Sequence, residues 1–485
     1  MIAWLIACAG PSVPSDAPDV VIVTVDTLRQ DRLGFAGHTG ATTPALDALA
    51  AGGRVFRQAT TPIPRTTPAL ASLLTGRSPH HHGSREVGAP IDADVPMLAE
   101  QLRSAGWFTA AISAMRVAGP DQGLNRGFES FEVMHDAPAA DVVGRARRHL
   151  STSRPVLLWV HLADPHFPYT PHGGDSPCAR LVSVGEEIGR AAIFSDRDGR
   201  ASAALPDCRL RYDEEIARVD RAIGELIGAL ESRSRDRVVI FTADHGENQG
   251  ERGLYYEHGP NLDDASLRVP FVVSGRGVVP GHDDGVLTLT DVMPALLASL
   301  GLPPPADLDG EDVSARFAGA APDPEGRRFA ESGSALQVRL FGALVSGRKS
   351  RWCVNDPPFS LCGRRTRRPT LHRHDVDPGL NTDVSDAHPD VRARLVEAAA
   401  HWPPETARER TVRTPRFSLV ARPALDGTYR TVLTDRTTGQ DVTEDRPDVA
   451  RTLTAELAAW GAPAPAAPAR DADAVEALRA LGYVE

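Results

Sequence analysis

Lysine is scarce in this chain; nearly all of its 53 basic side chains are arginine. Aromatic residues supply only 5% of the 485 positions. No apolar run is long enough for a spanning helix. No block of like charge occurs either, and the net charge of -11 is spread along the chain. That pattern argues for solubility and against a nucleic-acid partner. Cysteine occurs five times and never as Cys-x-x-Cys. Cys178 and Cys208 bracket a Gly/Ser/Arg/Asp-rich insertion, and Cys353 and Cys362 bracket Pro357-Pro358. An even set of loop cysteines suits two disulfides in an oxidising compartment, with four independent thiols as the alternative.

At this length one large core and a smaller domain fit. The chain opens on an apolar stretch, Met1 to Cys8, followed by a tether to residue 18. Leu5-Ile6-Ala7-Cys8 resembles a bacterial lipobox, whose cysteine is lipidated after signal cleavage. The stretch is short and lacks a basic start, so either the true start lies upstream or the terminus is apolar by chance. Export to the periplasm or cell envelope is the favoured reading. The membrane is then met only through an N-terminal lipid.

Two apolar runs each end on an acid. Val20-Val21-Ile22-Val23-Thr24-Val25 ends on Asp26, and Val238-Val239-Ile240-Phe241-Thr242-Ala243 on Asp244-His245. Short β-branched runs without alternation read as strands buried on both faces of a parallel sheet. Ligands of open α/β sheets bind outside the carboxyl ends of the strands. Asp26, Asp244 and His245 are therefore expected to meet at one rim as a metal site.

Strand patterns at 20–25, 108–113, 156–162, 237–243 and 269–274 alternate with helical ones at 44–52, 67–75, 95–105, 211–231 and 290–300. This predicts a mostly parallel α/β sheet between helices over residues 19–325. Ala318 to Gly326 read as a linker. Residues 326–461 then form a smaller α+β subdomain, and 462–485 a linker and closing helix. The subdomain carries a weak internal duplication. Asp383-Val384, Pro389-Asp390-Val391, Leu395 and Trp402 recur at one offset as Asp441-Val442, Pro447-Asp448-Val449, Leu453 and Trp460. Two copies are too few for a solenoid, so they read as a structural strand-plus-helix element.

Thr66-Thr67-Pro68-Ala69-Leu70-Ala71-Ser72-Leu73-Leu74-Thr75-Gly76 reads as a loop entering a helix, with Pro68 in its first turn and Gly76 at its end. A hydroxyl there faces unpaired N–H groups, which suits a phosphate or sulfate oxyanion. Thr66 as a simple N-cap is the competing reading. The triplet His80-His81-His82 follows the helix and reads as a solvated turn.

The ordered set of motifs resembles the sulfatase family of the alkaline-phosphatase superfamily. It comprises Val25-Asp26-Thr27-Leu28-Arg29, Thr43-Pro44-Ala45-Leu46-Asp47-Ala48-Leu49-Ala50, Ser72-Leu73-Leu74-Thr75-Gly76-Arg77-Ser78-Pro79-His80, His161-Leu162-Ala163-Asp164-Pro165-His166-Phe167-Pro168-Tyr169, Tyr212-Asp213-Glu214-Glu215-Ile216, Ala243-Asp244-His245-Gly246-Glu247 and Arg268-Val269-Pro270. The resemblance implies an alkaline-phosphatase-like fold. It also implies metal ligands at Asp26, Asp244, His245 and Thr66, a nucleophile at Thr66, and assisting histidines at His166 and His258. Departures matter equally. Usual members carry a Cys or Ser converted to formylglycine; Thr66 cannot yield that aldehyde, and Leu70 stands where they have an arginine. Thr27 replaces the usual second acid, and the stretch near Ala111-Ile112-Ser113-Ala114 offers no lysine for an anion clamp.

The remaining donor set resembles single-metal phosphotransferases of the superfamily. With one imidazole among oxygen ligands, manganese, zinc or magnesium suits it better than calcium. A second metal on Asp164, His166 and His258 would resemble the phosphodiesterase branch. The sequence thus predicts a metal-dependent hydrolase or transferase of a phosphate or sulfate ester, phosphate favoured, on a small-molecule, glycan or lipid-linked substrate. A sulfuric ester hydrolase using threonine directly is the first rival. A non-catalytic envelope lipoprotein binding an anionic glycan is the second. Oligomeric state is not readable.

Overall fold

The strand ending on Asp26 is the centre of the molecule. In the computed structural model β1 (Asp19–Val25) is buried along its whole length. The structure describes residues 16–40, 42–169, 176–181, 196, 199–259, 262–324, 326–332, 338–340, 343–348, 351–356, 359–364, 367–373, 383–393, 408–423 and 429–460. The lipobox-like start and the closing helix lie outside them. Among the described residues no helix is long and apolar enough to cross a membrane.

Seven further strands join β1 in one sheet: β2 (Gly53–Thr60), β3 (Phe108–Ser113), β4 (Ser130–Val133), β5 (Val156–Leu162), β6 (Arg237–Ala243), β9 (Phe271–Gly275) and β10 (Gly281–Thr288). A short pair, β7 (Asn248–Gln249) with β8 (Tyr255–Glu257), stands apart. The order β10-β2-β9-β6-β1-β5-β3-β4 is parallel except for β9. Sequence reasoning places a strand at 269–274 but not its direction. The connection from β6 stays at the carboxyl rim, so β9 enters the sheet from that end and must run backwards.

Helices flank the sheet: α1 (Pro44–Ala51), α2 (Thr66–Thr75), α3 (Pro79–His82), α4 (Leu98–Ser104), α5 (Ala139–Ala146), α6 (Arg200–Glu231), α7 (Asp264–Leu267), α8 (Val292–Ser299) and α9 (Ser314–Phe317). The helix expected at 211–231 begins earlier, at Arg200, and runs through Pro206. Its first turns are pinned by a disulfide from Cys208 to Cys178, and Asp207 accepts the Cys178 N–H at 2.9 Å. Alkylation of denatured, unreduced protein should leave Cys178 and Cys208 unmodified. Cys208→Ser should cost about 3–4 kcal/mol, the chain-entropy scale for such a loop, read as a lower denaturation midpoint.

The histidine triplet is not a solvated turn. Only His81 is exposed; His80 and His82 are buried. His82 Nε2 lies 3.0 Å from Ser72 Oγ and 3.2 Å from the Pro68 carbonyl, which ties α3 to α2. His80 meets the Trp460 ring edge-on at 4.6 Å. Neutral imidazoles are amphipathic enough to pack here, and burial pushes both histidines down, His80 to about 4 and His82 to about 3.

The last third holds two antiparallel sheets. In the first, β11 (Arg328–Glu331), β17 (Arg410–Arg413), β18 (Phe417–Pro423) and β19 (Tyr429–Asp435) pack against α10 (Pro447–Trp460) through Val412, Leu419, Leu433, Leu453 and Leu457. The second runs β12 (Val338–Leu340), β13 (Ala343–Arg348), β14 (Arg351–Asp356), β15 (Phe359–Arg364) and β16 (Arg367–Arg373). Its register sets Cys353 opposite Cys362.

Both copies of the duplicated segment make the same turn. Asp383 Oδ1 accepts from Ser385 N and Oγ at 3.0 and 2.5 Å, and Asp441 Oδ1 from Thr443 N and Oγ1 at 2.9 and 2.6 Å. Val384 N donates to Leu371 O at 2.7 Å, as Val442 N does to Leu433 O at 2.8 Å. Leu395 and Trp402 lie outside the described residues.

Candidate active site

β1 and β6 pair with Val25 opposite Ala243, so Asp26 and Asp244 leave the sheet side by side. The Thr27 and His245 N–H groups both donate to Asp244 Oδ1, at 3.2 and 2.8 Å. That orients the carboxylate and turns Oδ2 inward. His245 Nε2 lies 3.4 Å from Asp244 Oδ2 and 3.7 Å from Asp26 Oδ1. Thr66 arrives from α2. Arg65 occupies the N-cap position, so Thr66 is the first helical residue and its hydroxyl does not close the helix end. Thr66 Oγ1 instead stands 3.3 Å from His245 Nε2. All four side chains are fully buried.

Such a cluster is unstable without a counter-charge. Both Asp26 oxygens, Asp244 Oδ2 and Thr27 Oγ1 are buried without a hydrogen-bond partner among the described residues, the Thr66 hydroxyl standing nearby. Burial drives both carboxyls above their usual range, and the charges of Asp244 and Glu247 push Asp26 further. Burial pushes His245 down to about 3, leaving a neutral ring. Its Nδ1 faces the Gly246 carbonyl at 2.9 Å, so the proton sits there and the Nε2 lone pair points at the acids. Asp26, Asp244 and His245 bring donor atoms within 4.8 Å of one another, and no other such group occurs among the described residues. Orphaned acid oxygens beside a pre-oriented imidazole fit a divalent cation.

The His258 ring lies 4.0 Å from that of His245, and the His166 ring 5.7 Å from that of His258. His258 Nδ1 faces the Pro64 carbonyl at 3.2 Å. Asp164 is drawn elsewhere: its Oδ2 accepts the Ala139 N–H at 2.9 Å. The structure therefore gathers Asp26, Thr66, Asp244, His245 and His258, with His166 at their edge. It does not bring Asp164, His166 and His258 together as a second donor set.

Sequence reasoning misses the shell behind these residues. Thr27 has φ 54°, strained for a β-branched residue. It is clamped on both sides, by Asp244 on its N–H and by Tyr212, whose hydroxyl donates to its carbonyl at 2.7 Å. Tyr212 also accepts the Arg29 N–H at 2.9 Å. The Tyr169 hydroxyl donates to Glu247, whose carboxyl burial raises to about 8. Tyr169 and Glu247 stand in the same motifs as His166 and His245, and that adjacency was the available signal.

Arg65 is the other missed residue. Its buried guanidinium lies 3.9 Å from the Glu257 carboxylate and packs against Gly259. A β-carbon built on Gly259 would stand 2.1 Å from Arg65 Nε, and the glycine has φ 101°. Gly259→Ala should therefore displace Arg65. Stability should fall by about 1–2 kcal/mol for a left-handed alanine. A drop in turnover beyond that loss of folded protein checks that Arg65 serves the pocket. Leu70, at the position where usual members have an arginine, is buried in α2.

The family model for sulfatases matches residues 18–302, more than half of the chain. The chain is 26% identical over 354 residues to an ulvan-active sulfatase of Formosa agariphila, covering 64% of this chain and 67% of that one. It is 26% identical over 482 residues to human arylsulfatase A, covering 83% and 93%. Its fold matches the crystal structure of a phosphonate monoester hydrolase of Agrobacterium radiobacter with a TM-score of 0.53 at 22% identity, covering 79% and 95%. With the acids, the imidazole and the threonine hydroxyl gathered at the strand ends, these likenesses assign the chain to the sulfatase family of the alkaline-phosphatase superfamily.

Proposed function

We propose that the chain hydrolyses a sulfuric or phosphoric ester through Thr66, with phosphoric esters favoured. The observation that carries this reading is the Thr66 hydroxyl standing 3.3 Å from His245 Nε2, beside the orphaned oxygens of Asp26 and Asp244. Asp26, Asp244, His245 and Thr66 would hold one divalent cation, with manganese, zinc or magnesium ahead of calcium. Once bound, such an ion offsets the two acids, acidifies the hydroxyl and draws charge from the ester oxygens.

The remaining chemistry belongs to the chain. Thr66 Oγ1 forms a bond to phosphorus or sulfur while the bond to the leaving oxygen breaks. The hydroxyl proton goes to a neutral imidazole. His258 suits this, because the Pro64 carbonyl holds its Nδ1 proton and leaves Nε2 to accept. The same imidazole, or His166, returns the proton to the leaving oxygen. Water then attacks the threonyl ester, restoring Thr66 and releasing the inorganic anion. An acceptor alcohol in place of water would make the reaction a transfer.

Two features support phosphorus: a threonine cannot become the aldehyde nucleophile, and the stretch matching the lysine clamp is buried apolar strand around Ala111. The names of the relatives support the second reading, a sulfate esterase using threonine directly. A binding-only role fits poorly with two acids and an imidazole kept together at the strand ends.

Nitrophenyl phosphate, phosphodiester, phosphonate and sulfate, each offered with manganese, zinc, magnesium or calcium, test the proposal. Turnover fastest on a phosphorus ester supports it, and preference for sulfate transfers it to the second reading. No turnover with any metal defeats both. Export is proposed alongside, supported by the Cys178–Cys208 disulfide.

A further inference from the structure

Where the C-terminal sheet meets the α/β domain, three arginines crowd one carboxylate. Arg413, 5% exposed, donates to Asp264 Oδ1 at 2.5 Å and to the Leu262 carbonyl at 3.1 Å. Arg268 approaches the other Asp264 oxygen at 3.9 Å and donates to the Arg57 carbonyl at 2.9 Å. Arg436 donates to Gln58 Oε1 and, at 2.9 Å, to the Thr414 carbonyl. Among the described residues it reaches no carboxylate. The flanking acids are engaged, Asp284 by Arg57 at 3.4 Å and Asp435 by Arg416 at 3.1 Å.

Three cations thus face one anion, and the surplus is felt. Arg413 foremost, with Arg436 and Arg268, holds Asp264 down to about 2. Burial, and then Arg413, pushes Arg436 down to about 10. Like charges held this close at a partly desolvated interface are costly unless something neutralises them. The cluster is not sealed: the Arg268 side chain is 35% and that of Asp264 54% exposed.

We propose that the cluster of Arg268, Arg413 and Arg436 binds a tetrahedral oxyanion of the sulfate or phosphate type. Guanidinium forks match such an anion's oxygens, and a doubly charged ligand would balance the surplus. The anion has two sources, free inorganic product or a second charged ester group on a larger substrate. The site does not depend on Thr66 chemistry.

Thermal unfolding of the full chain, stripped of metal, tests it with inorganic sulfate or phosphate against chloride at equal ionic strength. Wild type should gain stability along a saturating curve. Without the anion Arg436→Gln should stay near wild type in stability, relief of repulsion offsetting the lost hydrogen bonds to Gln58 and Thr414, and it should lose that saturating gain. Calorimetric titration should show affinity for the anion falling about tenfold or more, the scale of one lost charged hydrogen bond. Arg436→Lys should retain part of it. An equal saturating gain in both proteins overturns the proposal, because the anion then binds elsewhere. A marked loss of anion-free stability in Arg436→Gln also overturns it, because Arg436 is then a clasp between domains. The sources separate in kinetics. If Arg436→Gln raises KM for a multiply charged ester but not for a nitrophenyl ester, the site reads substrate; if both KM values hold while anion binding is lost, it takes the free anion.

Discussion

Thr66→Ala should abolish turnover, lowering kcat by about four orders of magnitude or more, the scale seen when a covalent nucleophile is removed. The variant should still fold, because the Thr66 hydroxyl caps nothing: Arg65 holds the N-cap position and α2 is otherwise unchanged. Thr66→Ser keeps the attacking oxygen and should keep most of the activity. The decisive measurement is the mass of the peptide containing Thr66 after rapid quench with a slow ester. A phosphoryl or sulfuryl group on that peptide in wild type and Thr66→Ser, absent in Thr66→Ala, identifies the covalent step. Unchanged turnover in Thr66→Ala would sink the nucleophile and leave His245 and the acids activating water instead.

Metal withdrawal should have the second large effect, and its size should depend on pH. In the metal-free chain burial raises the carboxyls of Asp26 and Asp244 above their usual range and Glu247 to about 8. For a group whose folded pKa is raised, its stabilising share is complete below the ordinary carboxylate value. It disappears as pH climbs through the folded value. The metal-free protein should therefore lose stability between about pH 4 and about pH 8. A cation reverses this by favouring the ionised acids, so the gain on adding metal should grow across the same window. With metal a hundredfold above its dissociation constant the gain is about 2.7 kcal/mol, several degrees in Tm. Scanning fluorimetry with manganese or zinc from pH 5 to 8 checks it. A metal-induced shift that stays flat with pH, or none at all in wild type while Asp26→Asn behaves alike, would remove the cation from the pocket.

Much of the site could be read along the chain because its parts follow strand ends. Asp26 and Asp244 each end an unbroken β-branched run, and such runs have few alternatives to a buried parallel strand. His245 follows by adjacency. The histidine triplet was misread because local composition cannot tell that α10 will cover it; Trp460 comes from the far end of the chain. Asp164, weighed as a ligand of a second metal, shows the same dependence on distant packing. Its neighbours in sequence suggest a ligand, but the α5 backbone claims its carboxylate.

The periodicity of short apolar runs, the turn residues and the acids behind them suffice to dictate an α/β sheet with carboxylates on one rim, since these depend on interactions between near neighbours. The hydroxyl of Thr66 pointing at His245, the Pro64 carbonyl that sets the tautomer of His258, and the arginine surplus around Asp264 arise only when segments 149 to 194 residues apart come into contact. Hydrogen-bond direction and charge balance in a desolvated space are properties of the packed molecule, and no local stretch of chain contains them.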